Sequence, residues 1–408
     1  MADQSSLDDW LVRIGQIHPV GWDLGLERVA SVGASMGLLH PAAQVVLVAG
    51  TNGKGSTCEY LTHLAMAAGL TVGTSTSPHL FRFNERIRID GQPVDDQAIT
   101  GAFARIDQAR GETTLTYFEF ATLASLLIFQ DRHLDVAVLE IGLGGRLDAM
   151  NIVAPDLTLI TSISMDHESW LGDTREAIAR EKAGIMRAGI TCVVTDRDPP
   201  QSLIDAAADT GASLRLLGQD FPVVEMETRL PADSLAGAME AARCLGWLAG
   251  RESDHETVRE LAARVTMPGR CQLVETRDGI RVLLDVGHNP AAALYLARQV
   301  RSMAAPGLHI LVGIYRDKDI EGVLQAFTGQ GALSWHLVDL PGERGASAAE
   351  ILDRLAESER GRATTYAKMS AAVEGALSRA APGEILLVFG SFETVAGALR
   401  QPGIAHIS

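Results

Sequence analysis

Apolar positions along this 408-residue chain fall into two alternating rhythms. Short, uninterrupted runs rich in Val, Leu and Ile suit strands buried on both faces. They occur at Val45–Val48, Thr71–Thr76, Val136–Ile141, 157–163 and 191–195. Between them lie longer stretches with the spacing of helices, over 95–109, 117–130, 174–187, 234–249 and 255–264. Trp10–Ile17 and Leu26–Leu38 read as two amphipathic helices ahead of the first strand. Strands alternating with helices predict an α/β fold with a parallel sheet covered on both faces. Met267-Pro268-Gly269-Arg270 breaks a helix and opens a second series of strands, near 272–276, 281–285, 308–313, 334–338 and 384–389. Two domains are therefore expected, 1–267 and a smaller α/β domain over 268–408. The stretch from about 196 to 232 carries no recognisable motif.

The strand at Val45–Val48 runs into Gly-Thr-Asn-Gly-Lys-Gly-Ser-Thr (50–57). Glycines there let consecutive backbone N–H groups face an anion, Lys54 adds a point charge, and Ser56 and Thr57 open a helix. A plain glycine-rich strand-to-helix connection would have no packing purpose for the lysine and paired hydroxyls. The pattern reads as a P-loop for a nucleoside triphosphate, with Gly-Lys-Gly-Ser replacing the commoner Gly-Lys-Ser/Thr. A regulatory GTPase is the rival from another class. It needs Asn-Lys-x-Asp to read guanine, and the nearest match, Asp317-Lys318-Asp319, lacks the asparagine.

In a parallel sheet, functional groups gather at the carboxyl ends of strands. Those ends carry Lys54 and Ser56, then Ser77, Glu140, and Asp166 with His167. Hydroxyl, carboxylate and imidazole together suit Mg²⁺ bridging phosphates, although a hydrogen-bonded histidine at a strand end gives the same pattern. On residue types alone, Glu181-Lys182 reads as a solvated charge pair on a helix face. Asp285, His288 and Asn289 follow a second-domain strand and suit contacts to a ribose or base, with helix capping an equal reading for Asn289 before Pro290. Arg270 reads either as a terminal-phosphate ligand that completes the site on domain closure or as a structural hinge arginine.

Composition narrows the partners. The net charge of −16, from 35 basic and 51 acidic residues, argues against broad binding to nucleic acid or anionic membrane. Four scattered cysteines without Cys-x-x-Cys suit free thiols and give no zinc signature. The polar, acidic Met-Ala-Asp-Gln-Ser-Ser start does not read as a signal peptide, and no apolar stretch approaches membrane-spanning length. A cytoplasmic enzyme is expected.

Seven motifs in order make a resemblance specific: Gly50–Thr57, Thr-Ser-Pro-His-Leu (76–80), Glu-Ile-Gly-Leu-Gly-Gly-Arg-Leu-Asp-Ala (140–149), Asp-His-x-x-x-Leu-Gly (166–172), Glu-Lys-Ala-Gly-Ile (181–185), Pro-Gly-Arg (268–270) and Asp-x-x-His-Asn-Pro (285–290). The series resembles the folate-elongating branch of the Mur ligase superfamily, the bacterial bifunctional dihydrofolate synthase/folylpolyglutamate synthases, from Trp22–Arg28 to Gly390–Val395. The resemblance implies a P-loop ATP- and pterin-binding domain, a Rossmann-like second domain, and amide formation dependent on ATP and Mg²⁺, with one or two ions. Residue by residue, it implies ATP contacts from Thr51, Asn52, Gly53, Lys54, Gly55, Ser56, Arg270, Asp285 and His288. Ser234 stands where the family usually has a nucleotide-contacting asparagine. Ser77, Glu140 and His167 would hold the metal, and Lys182 would be a carbamylated lysine. Lys54, Lys182, Arg270 and His167 would carry the catalysis. Trp22, Asp23, Leu24, Thr116, Tyr117, Phe118, Glu119, Leu147, Asp148 and Ala149 would line the pterin pocket; on spacing alone, Phe118 reads equally as a core residue. The implied substrates are dihydropteroate, reduced folates and L-glutamate. A monovalent cation and a monomeric state complete the expectation. A single-activity folate ligase and a cell-wall muramyl ligase are the nearer rivals.

Overall fold

The computed structural model describes residues 5–21, 23–248 and 255–405, which divide into two compact units, Met1–Val265 and Thr266–Ser408. The first begins with helices α1 (Leu7–Ile17) and α2 (Glu27–Ser35). A capping box between Ser6 and Asp9 starts α1, whose Trp10 and Ile14 are buried. Strand β1 (Gln44–Ala49) leads into α3 (Lys54–Ala67), then β2 (Val72–Ser75) and a hairpin of β3 (Ile87–Ile89) and β4 (Gln92–Pro93). Helices α4 (Asp96–Arg110) and α5 (Tyr117–Asp131) precede β5 (Val136–Glu140) and β6 (Leu157–Ile160). The short α6 (Glu168–Leu171), α7 (Arg175–Ala183), β7 (Thr191–Val194), α8 (Gln201–Thr210), β8 (Ser213–Leu216), α9 (Ala232–Cys244) and α10 (His255–Arg264) complete the unit.

Its eight-stranded sheet has the order β4-β3-β2-β5-β1-β6-β7-β8. Every pairing from β2 to β8 is parallel, and the β3–β4 hairpin adds an antiparallel edge. The expected α/β fold with a parallel sheet agrees with this, and the hairpin is an antiparallel addition at its edge. The 87–93 hairpin was missed because its two strands are very short and mostly polar. The motif-free stretch 196–232 holds α8 and β8; β8 is a half-buried edge strand, so it lacks the apolar run of a central one.

Register positions the site. Val48 on β1 pairs with Glu140 on β5, Ala49 pairs with Ile160 on β6, and Ser75 on β2 pairs with Leu139. The carboxyl ends of β2, β5, β1 and β6 therefore lie side by side. β1 is buried from Val45 to Ala49, as a strand flanked by helices on both faces must be.

The second unit contains β9 (Gln272–Glu275), β10 (Arg281–Asp285), α11 (Pro290–Ser302), β11 (Leu308–Val312), α12 (Ile320–Gln325) and β12 (Ala332–Val338). It continues with α13 (Ala348–Arg354), α14 (Glu357–Arg360), β13 (Ala363–Tyr366), α15 (Met369–Leu377), β14 (Ile385–Phe389), α16 (Phe392–Leu399) and α17 (Pro402–Ala405). Its sheet order is β13-β12-β11-β14-β10-β9, parallel except for the antiparallel edge strand β9. Each unit has its own hydrophobic core.

Candidate active site

The P-loop begins where β1 ends. Gly53 adopts a left-handed backbone (φ 92°), and α3 starts at the next residue, Lys54. Thr51 pins the loop to the end of β6: its N–H donates to the Ser162 carbonyl at 2.7 Å, and its hydroxyl donates to the Ser164 carbonyl at 3.1 Å. Ser162 Oγ in turn donates to the Asn52 carbonyl at 3.2 Å. Lys54 Nζ lies over the loop, 3.2 Å from the Gly50 carbonyl oxygen and 3.3 Å from that of Thr51. Gly55 and Ser56 are buried in the first turn of α3. Ser234 reaches the loop from α9, its hydroxyl donating to the Gly53 carbonyl at 3.3 Å.

Lys182 corrects the reading of a solvated pair. It is only 4% exposed, and its Nζ donates to the Gly50 carbonyl at 2.8 Å, from a position 132 residues away. Burial, and then the Lys54 charge beside it, push its pKa down to about 7, against weaker support from Asp166 and Asp148. Glu181 faces the other way and pairs with Arg146 at 2.9 Å. Only its buried neighbour joins the P-loop.

Glu140, at the end of β5, is 4% exposed and accepts the Ser77 N–H at 3.0 Å. The structure thus brings Ser77 and Glu140 together. A buried carboxylate beside a hydroxyl is a hard oxygen donor set, and it fits Mg²⁺. His167 also adopts a left-handed conformation (φ 53°), with its N–H on the Asp166 carboxylate at 2.9 Å, and it opens α6. Among the described residues, no group of three His, Cys, Asp or Glu side chains forms a metal cage by itself. A cation here would take its remaining ligands from phosphate or water.

The loop 142–148 closes the site. A Cβ on Gly145 would lie 2.8 Å from the carbonyl oxygens of both Glu181 and Lys182, so only glycine lets this loop approach α7. A Cβ on Gly142 would meet the Phe118 ring at 2.6 Å and Asp148 Oδ2 at 3.3 Å, which places those two groups together. Phe118 is partly buried, with one side against the core. Asp148 accepts N–H groups from Leu143 at 2.8 Å and Met150 at 2.9 Å. Burial nevertheless raises its pKa to about 6, against those hydrogen bonds and the Lys54 charge. Leu147 is half-buried and Ala149 buried on either side of it.

Thr116 and Glu119 form the capping box of α5, and Arg28 donates to the second Glu119 oxygen at 3.1 Å. Arg28 also holds Asp23 at 2.5 Å, while His18 approaches the same carboxylate at 3.1 Å. Both Glu119 oxygens are thereby engaged inside the protein. Leu24 is half-buried beside this network. Trp22 lies outside the described residues.

In the second unit, the Asp285 carboxylate accepts N–H groups from Cys271 at 2.8 Å and Gly287 at 2.7 Å, which shapes the loop after β10. His288 Nδ1 sits 2.9 Å from the Val286 carbonyl, and Asn289 caps α11 through the Ala292 N–H at 3.0 Å. The Arg270 guanidinium lies over the Phe392 ring at 5.1 Å.

The sequence reading did not single out Arg86 or Thr122. Arg86 Nε donates to His79 Nδ1 at 2.8 Å, and the guanidinium lies 5.6 Å from the Phe83 ring centre and 5.7 Å from that of Tyr117. Arg86 and Thr122 share a cavity with Ser77, Glu140, Phe118 and Met150. The polar and aromatic run 77–86 was the only sequence signal for it, and Thr122 gave none, since it looks like any helix residue.

Two family descriptions match the chain: "Mur ligase middle domain" over residues 48–221 and "Mur ligase, glutamate ligase domain" over residues 269–392. The dihydrofolate synthase/folylpolyglutamate synthase of Escherichia coli (strain K12) is 40% identical over 96% of this chain and 94% of its own length. The enzyme of the same name from Haemophilus influenzae is 38% identical over 96% of both chains. The solved structure of E. coli FolC in complex with DHPP and ADP superposes with a TM-score of 0.89 at 39% identity, covering 96% of each chain. A bifunctional folylpolyglutamate synthase/dihydrofolate synthase with Mn, AMPPNP and L-glutamate bound gives 0.88 at 38% identity, over 98% of this chain and 99% of that one.

Proposed function

Because this chain belongs to the Mur ligase family, in its dihydrofolate synthase/folylpolyglutamate synthase branch, we propose that it joins L-glutamate to dihydropteroate and adds further glutamates to reduced folates. It is an ATP-dependent ligase that uses a divalent metal ion. The observation that carries the reading is the junction at Gly50. There the P-loop, Lys54 and the buried Lys182 meet, and the 142–148 loop, which packs on α7 at Gly145, brings Phe118 and Asp148 together at Gly142.

A carboxylate does not react with an amine, so it must first take the γ-phosphoryl group of ATP. The amino group of glutamate then displaces phosphate from the acyl phosphate. Lys54 and the N–H groups at the start of α3 stabilise charge on the transferred group, mainly through electrostatics. Ser77, Glu140 and His167 would hold Mg²⁺, which would neutralise phosphate charge when bound. Arg270, Asp285 and His288 keep the nucleotide role that the family resemblance implies, and Ser234 supplies a hydroxyl on the P-loop. Phe118 offers a ring face to a pterin, and Asp148 an acceptor for its amino and ring N–H groups. Arg28 holds Asp23 and Glu119 in place at the start of α5, the helix that carries Phe118.

Lys182 is assigned as a carbamate. Carbamylation needs a neutral amine, and a pKa near 7 leaves much of Lys182 uncharged at neutral pH. No helix among the described residues is long and apolar enough to cross a membrane, and the net negative charge argues against nucleic-acid partners. A cytoplasmic, monomeric enzyme stays part of the proposal on family resemblance alone. A monovalent cation stays part of the proposal on family resemblance alone.

The test is ADP formation by purified enzyme with glutamate and either dihydropteroate, tetrahydrofolate or UDP-muramyl precursors. Products from the first two acceptors alone support the reading. Turnover of only one would reduce it to a single-activity ligase, and preference for the muramyl precursor would overturn it. With carboxyl-¹⁸O dihydropteroate, one labelled oxygen should appear in the released phosphate.

A further inference from the structure

Resting on the folate reading above, we propose that Arg86 and Thr122 form the cradle that holds the carboxylate of the pteroyl substrate before it is phosphorylated. Arg86 is unusually constrained for an arginine near a site. Its Nε is committed to His79 Nδ1, and the rings of Phe83 and Tyr117 both lie within cation–π range. His79 therefore accepts through Nδ1, which fixes the plane of the Arg86 guanidinium. Among the described residues, the two terminal guanidinium nitrogens make no hydrogen bond, and Arg86 lines the cavity that Glu140 and Ser77 border. Thr122 Oγ1 lines the same cavity and is fully buried without a hydrogen-bond partner.

A buried hydroxyl left unpaired is costly, and the half-buried Arg86 beside it has a fork free to take an acceptor. One carboxylate can satisfy the hydroxyl and engage the fork together, since a carboxylate offers about four acceptor positions. The cavity's other walls identify which carboxylate. Phe118 belongs to the pocket assigned to the pterin, and Ser77 and Glu140 to the phosphoryl-transfer side. A rigid aryl acid whose ring system rests near Phe118 must extend its carboxylate toward Glu140 to reach the transferred phosphate. The Arg86 fork stands along that route and would keep the acid from being repelled by Glu140.

The test compares pteroate with its neutral carboxamide, each titrated against the full-length enzyme loaded with AMPPNP and Mg²⁺. Wild type should prefer the acid by about 10- to 100-fold, the worth of hydrogen bonds to a charged group. Arg86→Ala should cut that preference to a few-fold, and Arg86→Lys should retain an intermediate value. Thr122→Val, which keeps side-chain shape, should lose about 3-fold in acid binding. AMPPNP affinity should stay unchanged in all three, reporting an intact fold, and KM for glutamate should move less than KM for dihydropteroate. An undiminished acid preference in Arg86→Ala would overturn the cradle alone. A rise confined to the KM of glutamate would overturn the assigned occupant. Wild-type enzyme that turns over no dihydropteroate would overturn the folate reading itself.

Discussion

Each unit of this chain buries a cluster of polar side chains, and the two clusters differ in whether their hydrogen bonds are closed. In the second unit, His309 Nε2 meets Glu384 at 3.0 Å, its Nδ1 meets Ser334 Oγ at 2.7 Å, Ser334 Oγ meets His336 Nε2 at 2.8 Å, and His336 Nδ1 meets the Tyr366 hydroxyl at 3.1 Å. One assignment of protons satisfies all five groups: Tyr366 donates to His336, His336 to Ser334, Ser334 to His309, and His309 to Glu384. In the first unit, Thr57 Oγ1, Thr122 Oγ1 and Thr161 Oγ1 are buried without partners around the P-loop and the neighbouring cavity. Among the described residues, every buried side-chain nitrogen or oxygen without a partner belongs to the first unit. A closed network specifies structure. Open valences in a buried place mark where a ligand is expected.

Replacing the charged groups beside the open cluster should break the comparison most visibly. Lys54→Ala should lower ligase turnover by about 1,000-fold while thermal unfolding stays near wild type, because an electrostatic group is lost without a core contact. Near-normal turnover would remove the P-loop from the active site. Lys182→Ala should lose about 100-fold or more, and acetate should restore part of it if the missing group is a carbamate. Failure of several short acids to restore activity would count against the carbamate.

The closed cluster should answer in stability instead. Ser334→Ala leaves facing nitrogens on His309 and His336 unpaired and should cost about 2 kcal/mol in urea unfolding, with kcat/KM unchanged for folded protein. A cost near zero would mean that the chain is not closed. Burial, helped by the charges of Arg379 and His309, lowers the His336 pKa from 6.5 to about 4. Its other neighbours in the chain are Ser334 and Tyr366, with Glu384 beyond His309. The unfolded chain then binds the proton first. The stabilising contribution is complete above about pH 6.5 and is lost as pH falls toward about 4. Its size should be on the order of 2 kcal/mol, and His336→Gln should flatten that part of the stability curve. The smallest expected effect is also the sharpest contrast with Ser334: Thr122→Val should stabilise the unliganded protein by about 1 kcal/mol, because it removes a buried hydroxyl that has no bond to lose.

The P-loop was the most legible feature in the sequence because its parts are contiguous: a β-branched run, a glycine turn and a helix start all fall within residues 45–57. The α/β alternation was legible for the same reason, although the short 87–93 hairpin and the edge strands at 213–216 and 363–366 were not. Their few residues are half-buried or polar, so no apolar run announces them. Asn289 reads ambiguously in sequence, and the structure shows its side chain capping α11. Arg86 was visible only as one charge in a polar loop.

Determined by sequence alone were the glycine spacing that shapes the P-loop, the strand–helix order, and the ordered motifs that mark the family. All of these depend on neighbours a few residues apart. The tertiary structure decided that Lys182, rather than Glu181 beside it, turns inward to Gly50 across 132 residues, and that Arg86 is wedged between two rings. The physical reason is that desolvation and pairing belong to the surroundings of a group in space. A lysine has the same letter in water and against a buried carbonyl, yet only in the second place does its charge become costly enough to change its chemistry.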